Sequence, residues 1–486
     1  MTETMVNLLH LSMTPGLKNL SVDETRAFMH ENAAAIDDGV ADAFRQLELG
    51  EDPRIVLSLL DTSKSVINRI ALVKRVSRLA ARVPESGKLV VLAATRPEWI
   101  DRNLRRLGDT AVCNFFVTRT GEVWLFICQN LGEDQEIGYA ALHLVDAQAA
   151  KEFTALLENY LAGVVNGRPN VESLSIILEW FGSAILRFFL QFKVPERVVF
   201  IPHRSLHCLP LHAIFATSPT ETVYLDMLIR RIGYSSSLAD LFYGRGVAQK
   251  ETPSPLEPRI LAVLDVQATG LAWLRYERDH FELLEQLGMP VDVVTRTADL
   301  PTDKSSYVTI NWSGHGRSDP SSWAGSYLTL GSGNVLARDI SQTWTLSRRP
   351  LVTLAACETA LDTSSSAVDE YCGLDFAFKL AGAAAVFATL WRVSDPLAAL
   401  ASVILAYWSF EHKVSPAEAL VRFQQGLRNG TWQQWLLSDE QLAAIPRDQE
   451  RVREILHERR QAYRRLPLDY FSAVQSWATF RCFGQA

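Results

Sequence analysis

Apolar and polar positions repeat along this chain with a helical period at first and a strand-like period later, and that change organises the molecule. Helix-length patterns over residues 22–49 and 53–83, divided by Leu49-Gly50-Glu51-Asp52-Pro53, predict a small helical region spanning residues 1–85. It is too short for a tetratricopeptide array and shows no such repeat, so a packing layer of helices is the simplest reading, with partner docking as the alternative. From Lys88 the texture becomes α/β. Residues 89–93 read as a strand, and 111–118 with 122–128 read as a hairpin across Arg119-Thr120-Gly121. Helical patterns at 147–162 and 171–192 lead to a strand that opens at Val198. The segment 246–258, with Thr252-Pro253-Ser254-Pro255 and Pro258, predicts a boundary. Beyond it, short apolar strands at 260–265, 291–295, 307–313, 351–356 and 384–390 are mostly separated by helical segments. This alternation predicts an α/β fold with a mainly parallel sheet covered by helices on both faces.

Two of those strands end on small-residue turns that carry chemistry. Tyr307 to Ser313 runs into Gly314-His315-Gly316, and Leu351 to Ala356 runs into Cys357-Glu358-Thr359. As buried parallel strands they deliver His315 and Cys357 to one carboxyl-end edge, where open α/β sheets place their sites. Either residue alone is more often structural, since cysteine fills cores and histidine serves as a satisfied polar group. Together they suggest a nucleophile and its base, with His315 helping Cys357 exist as thiolate. Gly316 brings a backbone N–H to a substrate carbonyl unobstructed, and with the Cys357 N–H it would form an oxyanion hole.

Composition narrows the alternatives. The chain has 486 residues, 48% of them hydrophobic, and a net charge of −7, which lacks the basic excess of nucleic-acid binders. Its first residues have no basic or sustained apolar stretch, so a secretory signal is not expected. The apolar runs 380–391 and 397–408 are too short to cross a bilayer and are divided by Arg392 and Asp395, which argues against a membrane role. Six scattered cysteines, without framework spacing, suit a reducing cytoplasm. Walker, dinucleotide and HExxH motifs are absent, and no cofactor is expected.

Ser313-Gly314-His315-Gly316 and Ala355-Ala356-Cys357-Glu358-Thr359 resemble the signature of CHAT-domain cysteine peptidases, relatives of caspases and separases. The resemblance extends to Val198-Val199-Phe200-Ile201-Pro202 with Leu206-His207-Cys208-Leu209-Pro210, to Tyr234-Ser235-Ser236-Ser237, and to Gly382-Ala383-Ala384-Ala385-Val386. It continues through Leu390-Trp391-Arg392-Val393-Ser394-Asp395 and Trp477-Ala478-Thr479-Phe480, covering roughly residues 90–486. Ala360, where the family often has glycine, and Pro396, directly after Asp395, depart from the pattern. The resemblance implies a caspase-like sheet with a noncatalytic half over 86–250 and a catalytic half over 251–486. It also implies limited proteolysis of a protein substrate in bacterial defence or programmed cell death, a gasdermin-like effector being one such substrate, and admits an activating partner. In the family the loop after the cysteine borders the active site, which makes Asp369 and Glu370 candidates for binding a basic P1 side chain. Solvated loop charge explains them equally well.

Asp395 joins those candidates, because the strand at 384–390 ends near the same edge. It also reads as the N-cap of an apolar helix over 397–410, with Pro396 at the first helical position. His203, His207, Cys208 and His212 have ligand chemistry at close spacing, but they fall on a strand exit between Pro202 and Pro210, so no metal is assigned. The charged segment 446–463 reads as a salt-bridged solvent-facing helix rather than a basic patch. Cysteine endopeptidase is the leading reading. A caspase-like binding or regulatory module is the alternative, and a nonproteolytic thiol acyl-hydrolase would use the same pair.

Overall fold

The computed structural model describes residues 22–48, 52–64, 97–131, 136–242, 257–267, 271–286, 289–319, 325–357, 359–360, 373–410, 414–436 and 450–484. Strands β1 (Thr110–Val117), β2 (Val123–Asn130) and β3 (Ile137–Val145) form an antiparallel meander, and β4 (Arg197–Ile201) and β7 (Arg231–Tyr234) extend it in parallel with β1. Between them β5 (Phe215–Thr217) and β6 (Thr222–Tyr224) make a separate hairpin. In the second half, β8 (Arg259–Leu264), β9 (Val291–Val294), β10 (Tyr307–Ser313), β14 (Leu351–Ala355) and β15 (Ala385–Thr389) pair in parallel. A three-stranded antiparallel sheet of β11 (Gly316–Arg317), β12 (Tyr327–Leu330) and β13 (Gly333–Leu336) follows β10 directly.

One strand joins the halves. β16 (Phe480–Gly484) lies between β7 and β15, giving an 11-stranded sheet in the order β3-β2-β1-β4-β7-β16-β15-β14-β10-β8-β9. It is parallel to β7, through Phe483 and Tyr234, but antiparallel to β15. The parallel strands of the two halves therefore point in opposite directions, and their carboxyl ends lie on opposite edges of the sheet.

Strand alternation sorts side chains to the two faces. Val112, Phe116, Phe126, Val199 and Ile201 share a core with α1 (Val22–Glu48), α2 (Pro53–Ser63) and α3 (Pro97–Arg105). Cys113, Phe115, Ile127, Val198 and Phe200 belong instead to the core of α4 (Ala150–Val165) and α5 (Val171–Gln191). The N-terminal helices are thus a packed layer of the first half. At its carboxyl edge the buried Lys64 Nζ donates to the carbonyls of Phe115 at 2.5 Å, Pro202 at 3.0 Å and Ile201 at 3.1 Å. Among the described residues, α5 is the one helix long and apolar enough to cross a membrane, and half of its most apolar stretch is buried. Its Leu174, Ile177, Phe181, Ile185 and Phe189 pack into the core, as in an internal helix of a folded sheet protein.

The second-half sheet is covered by α6 (Leu274–Gln286), α9 (Asp395–Phe410) and α11 (Glu450–Arg464) on one side, and by α7 (Ala337–Thr343) and α8 (Leu374–Ala381) on the other. Helix α10 (Pro416–Arg428) crosses the junction. Its Arg428 Nη1 meets both carboxylate oxygens of Asp226 at 2.7 and 2.8 Å, and Gln424 Nε2 donates to Phe480 O at 2.8 Å. One expectation is corrected here. The Ala398 N–H donates to Ser394 O at 2.9 Å, so helix α9 begins at Asp395 instead of being capped by it. With Asp395 already inside the first turn, its carboxylate is free to bond elsewhere. The strand expected at 89–93, most of the 246–258 boundary and the start of the 446–463 helix lie outside the described residues.

Candidate active site

The register of β10 against β14 pairs Ser313 with Ala355. Each strand then continues two residues, so His315 and Cys357 leave the same edge of the sheet at matched height. Gly316 brings the two turns together: a Cβ there would sit 2.8 Å from the Cys357 carbonyl oxygen, closer than a side-chain carbon tolerates, so glycine is required where they meet. Gly314 likewise lies against Asp265, whose Cβ would be 2.7 Å from any added Cβ.

The His315 turn is held through its backbone. Thr329 N–H donates to His315 O at 2.9 Å, and His315 N–H donates to Thr329 Oγ1 at 3.2 Å. The Thr329 hydroxyl donates to Asp265 Oδ2 at 2.5 Å, while Asp265 Oδ1 accepts the Gly331 N–H at 3.0 Å. Asp265 directly follows β8, the strand on the other side of β10, so the imidazole turn is braced from the neighbouring strand exit. The Cys357 turn has its own brace. Ala356 O accepts the Thr389 hydroxyl at 2.6 Å, Thr389 N–H donates to Thr359 Oγ1 at 3.0 Å, and Ala360 N–H donates to Thr389 O at 2.8 Å. Thr359 and Thr389 were not singled out from sequence; their placement beside a strand exit emerges only once β15 lies next to β14.

Cys357 is partly exposed, whereas Cys113, Cys128, Cys208 and Cys482 are buried. Burial raises the Cys113 and Cys128 thiols well above the ordinary range and pushes Cys482 up to about 12. Among these five, Cys357 is thus the thiol that solvent or a substrate can reach. A thiol and an imidazole presented by neighbouring strands have the chemistry of a nucleophile and a proton carrier.

Asp395 is half-buried beside this edge. Its Oδ2 accepts the Trp273 N–H at 2.7 Å, and the Trp273 ring packs on Tyr463 with centroids 4.6 Å apart. Burial raises its pKa, opposed by the Trp273 and Ala272 amides and by the charge of His315, which places Asp395 and the imidazole in one electrostatic neighbourhood. Asp369 and Glu370 lie outside the described residues, as does Glu358. The histidine cluster does not converge: His203 Nδ1 accepts the Val117 N–H at 3.1 Å, and His212 Nδ1 pairs with the Tyr234 hydroxyl at 2.8 Å. Burial depresses His212 to about 3. Among the described residues no group of three or more metal-ligating side chains gathers.

A residue that sequence reading overlooked lies beneath the site. Glu277 of α6 accepts the hydroxyl of Ser313, the last residue of β10, and that of Ser402 at 2.8 Å. The available signal was Asn311 and Ser313 alternating with Ile310 and Trp312 in a strand buried on both faces, where polar side chains need buried partners.

Comparison with known proteins gives a consistent picture. Residues 172–485 match the family described as CHAT domain. No curated protein matches the sequence. Two crystal structures of the Saccharomyces cerevisiae separase-securin complex share the fold, with TM-scores of 0.55 and 0.53 at 11% and 10% identity. Each alignment covers 99% of this chain and 37% of the matched chain, so this chain spans little more than a third of that length. The large, mostly parallel sheet flanked by helices is thus the caspase-like arrangement of separase.

Proposed function

The chain belongs to the CHAT-domain family, and from that premise we propose that it is a cysteine endopeptidase acting through Cys357 and His315. The observation that carries this reading is the Ser313–Ala355 register, which delivers thiol and imidazole to one edge at equal height. In this mechanism His315 accepts the thiol proton as Cys357 Sγ bonds to the scissile carbonyl carbon. The N–H groups of Gly316 and Cys357 stabilise the tetrahedral oxyanion. Collapse of the intermediate breaks the C–N bond, and the imidazolium gives its proton to the departing amine. Water, deprotonated by His315, then hydrolyses the thioester and restores the thiol.

Residues 86–250 serve in this reading as a noncatalytic half. Its carboxyl edge faces away from Cys357 and is closed by the Lys64 ammonium, which supports a structural role. Asp395, Asp369 and Glu370 are the candidates for binding the P1 side chain, and Asp395 is favoured by its neighbourhood with His315. The biological setting follows by analogy: limited proteolysis in a reducing cytoplasm, in bacterial defence or programmed cell death, of a protein such as a gasdermin-like effector. The separase structures hold securin, and control by a second protein is the corresponding proposal here.

The test compares lysates containing wild type or Cys357→Ala and maps new protein amino termini. Termini that depend on Cys357 support an endopeptidase. A wild-type chain that binds proteins but produces none, even where its Cys357 alkylates rapidly, overturns it.

A further inference from the structure

Glu277 is 2% exposed, on a helix whose sequence, LRYERDHFELLEQ, reads as a solvated charged surface. Its Oε2 receives hydroxyl hydrogen bonds from two elements at once, Ser313 at the end of β10 and Ser402 in α9. Asn311 Nδ2 extends the chain by donating to Ser313 Oγ at 3.0 Å. A buried carboxylate fed by hydroxyls is costly unless fully engaged, and here it ties the strand that presents His315 to the two helices behind it. Further charged and titratable groups surround it. Asp395 opens α9, Arg459 and Tyr463 come from α11, and His280, on α6 itself, is met by Arg459 Nη1 at 3.0 Å.

We propose that Glu277 is a positioning residue for His315: through Ser313 it fixes the strand end carrying the imidazole, and as an anion it favours the imidazolium that partners the Cys357 thiolate. The purpose assigned to it rests on the peptidase reading, while the network exists without it. Burial and the nearby Asp395 push the Glu277 carboxyl up to about 7, against the opposing pull of the two serine hydroxyls and Arg459. Its charge therefore changes in the range where a Cys-His pair works. Asp395 interacts electrostatically with the His315 imidazole and, separately, with Glu277.

The experiment titrates the His315 imidazole by NMR in full-length protein with ring-labelled histidine, assigned with His315→Ala. It also follows the rate of Cys357 alkylation by iodoacetamide across neutral pH. Glu277→Gln is expected to lower the imidazole midpoint by about half a unit or more and to slow alkylation below that midpoint's wild-type value. Ser313→Ala keeps the charge and loses the tether, so it should lower kcat several-fold with little change in KM. Ser402→Ala, which removes the other hydroxyl without touching β10, should affect kcat far less. An imidazole midpoint unchanged in Glu277→Gln, or a Ser402→Ala effect equal to that of Ser313→Ala, overturns the proposal. If Glu277→Gln does not fold, the contrast between the two serine variants decides alone. Failure of the wild type to cleave proteins sinks the peptidase reading but leaves the imidazole titration readable. An active wild type with an unshifted imidazole sinks this inference only.

Discussion

Arg481 and Asp375 form an ion pair 3.0 Å long in which both side chains are 0% exposed. Arg481 belongs to the joining strand β16 and also donates to His207 O of the first half at 2.8 Å, while Asp375 N–H reaches Thr359 O at 3.3 Å. The pair therefore links a loop of the first half to the residue two positions beyond Cys357. Arg481→Met is expected to destabilise the protein by roughly 3–5 kcal/mol, because it strands a buried carboxylate. The double variant Arg481→Met with Asp375→Leu should recover most of that loss. Urea unfolding measures both, and a double variant no more stable than the single would refute the pairing as the cause.

Removing the chemistry itself gives the plainest outcome. Cys357→Ala should abolish cleavage, and His315→Ala should reduce it by about 10²- to 10⁴-fold while slowing alkylation of Cys357. Equal alkylation rates in wild type and a cooperatively melting His315→Ala protein would remove His315 as the base.

Specificity tests Asp395. If its carboxylate lines the P1 pocket, Asp395→Asn should depress cleavage after Lys or Arg far more than cleavage after apolar residues. Asp369→Asn and Glu370→Gln, compared in parallel, would assign the acid responsible. A set of mapped cleavage sites dominated by small or apolar P1 residues would exclude a basic pocket and leave the Cys357 mechanism untouched.

The Thr389 brace separates geometry from chemistry. Thr389→Val is nearly isosteric but removes the shorter of the two hydroxyl hydrogen bonds to Ala356 O, leaving the one from Thr359 at 3.3 Å, at a cost of about 1 kcal/mol. Because this bond fixes the turn holding Cys357, kcat should fall roughly tenfold with KM little changed. Steady-state kinetics on a mapped substrate would show this, and a change confined to KM would contradict it.

Glu277 also predicts a pH-dependent stability. Its folded pKa of about 7 lies above the ordinary 4.5, so the folded state holds the proton more tightly, and stability is lost as pH rises between those values. Replacing it with Gln removes that cost, on the order of 3 kcal/mol at most. Chemical denaturation above neutral pH should therefore find Glu277→Gln at least as stable as wild type, with a flatter profile below it. A variant markedly weaker throughout would show that the carboxylate contributes more as an anion than its burial costs.

Sequence made the candidate site legible because strands such as Leu351–Ala355 are buried on both faces and so read as unbroken apolar runs ending on small residues. The β1–β2 hairpin was equally visible from its Arg119-Thr120-Gly121 turn. β3 was not: it is mostly half-buried at the edge of the sheet, so its pattern carries little contrast. Arg481 and Lys64 defeat any residue-by-residue reading, since only long-range partners make full burial of those charges tolerable. Glu277 was hidden for the related reason that α6 is rich in charge and only its packing singles out one acid.

The placement of β16 also sets an order of events in folding. β7 and β15 each have one side that stays unpaired until a strand from far along the chain arrives, so the sheet closes late and by a long-range contact. Thr389 pairs with Phe480 in that same step, and Thr389 braces the Cys357 turn. During synthesis a competent thiol should therefore appear only after β16 has left the ribosome, which delays any cleavage until the chain has been made at least that far. The same delay leaves two sheet edges open to pairing with other chains, a hazard that a chaperone or a partner protein would shorten.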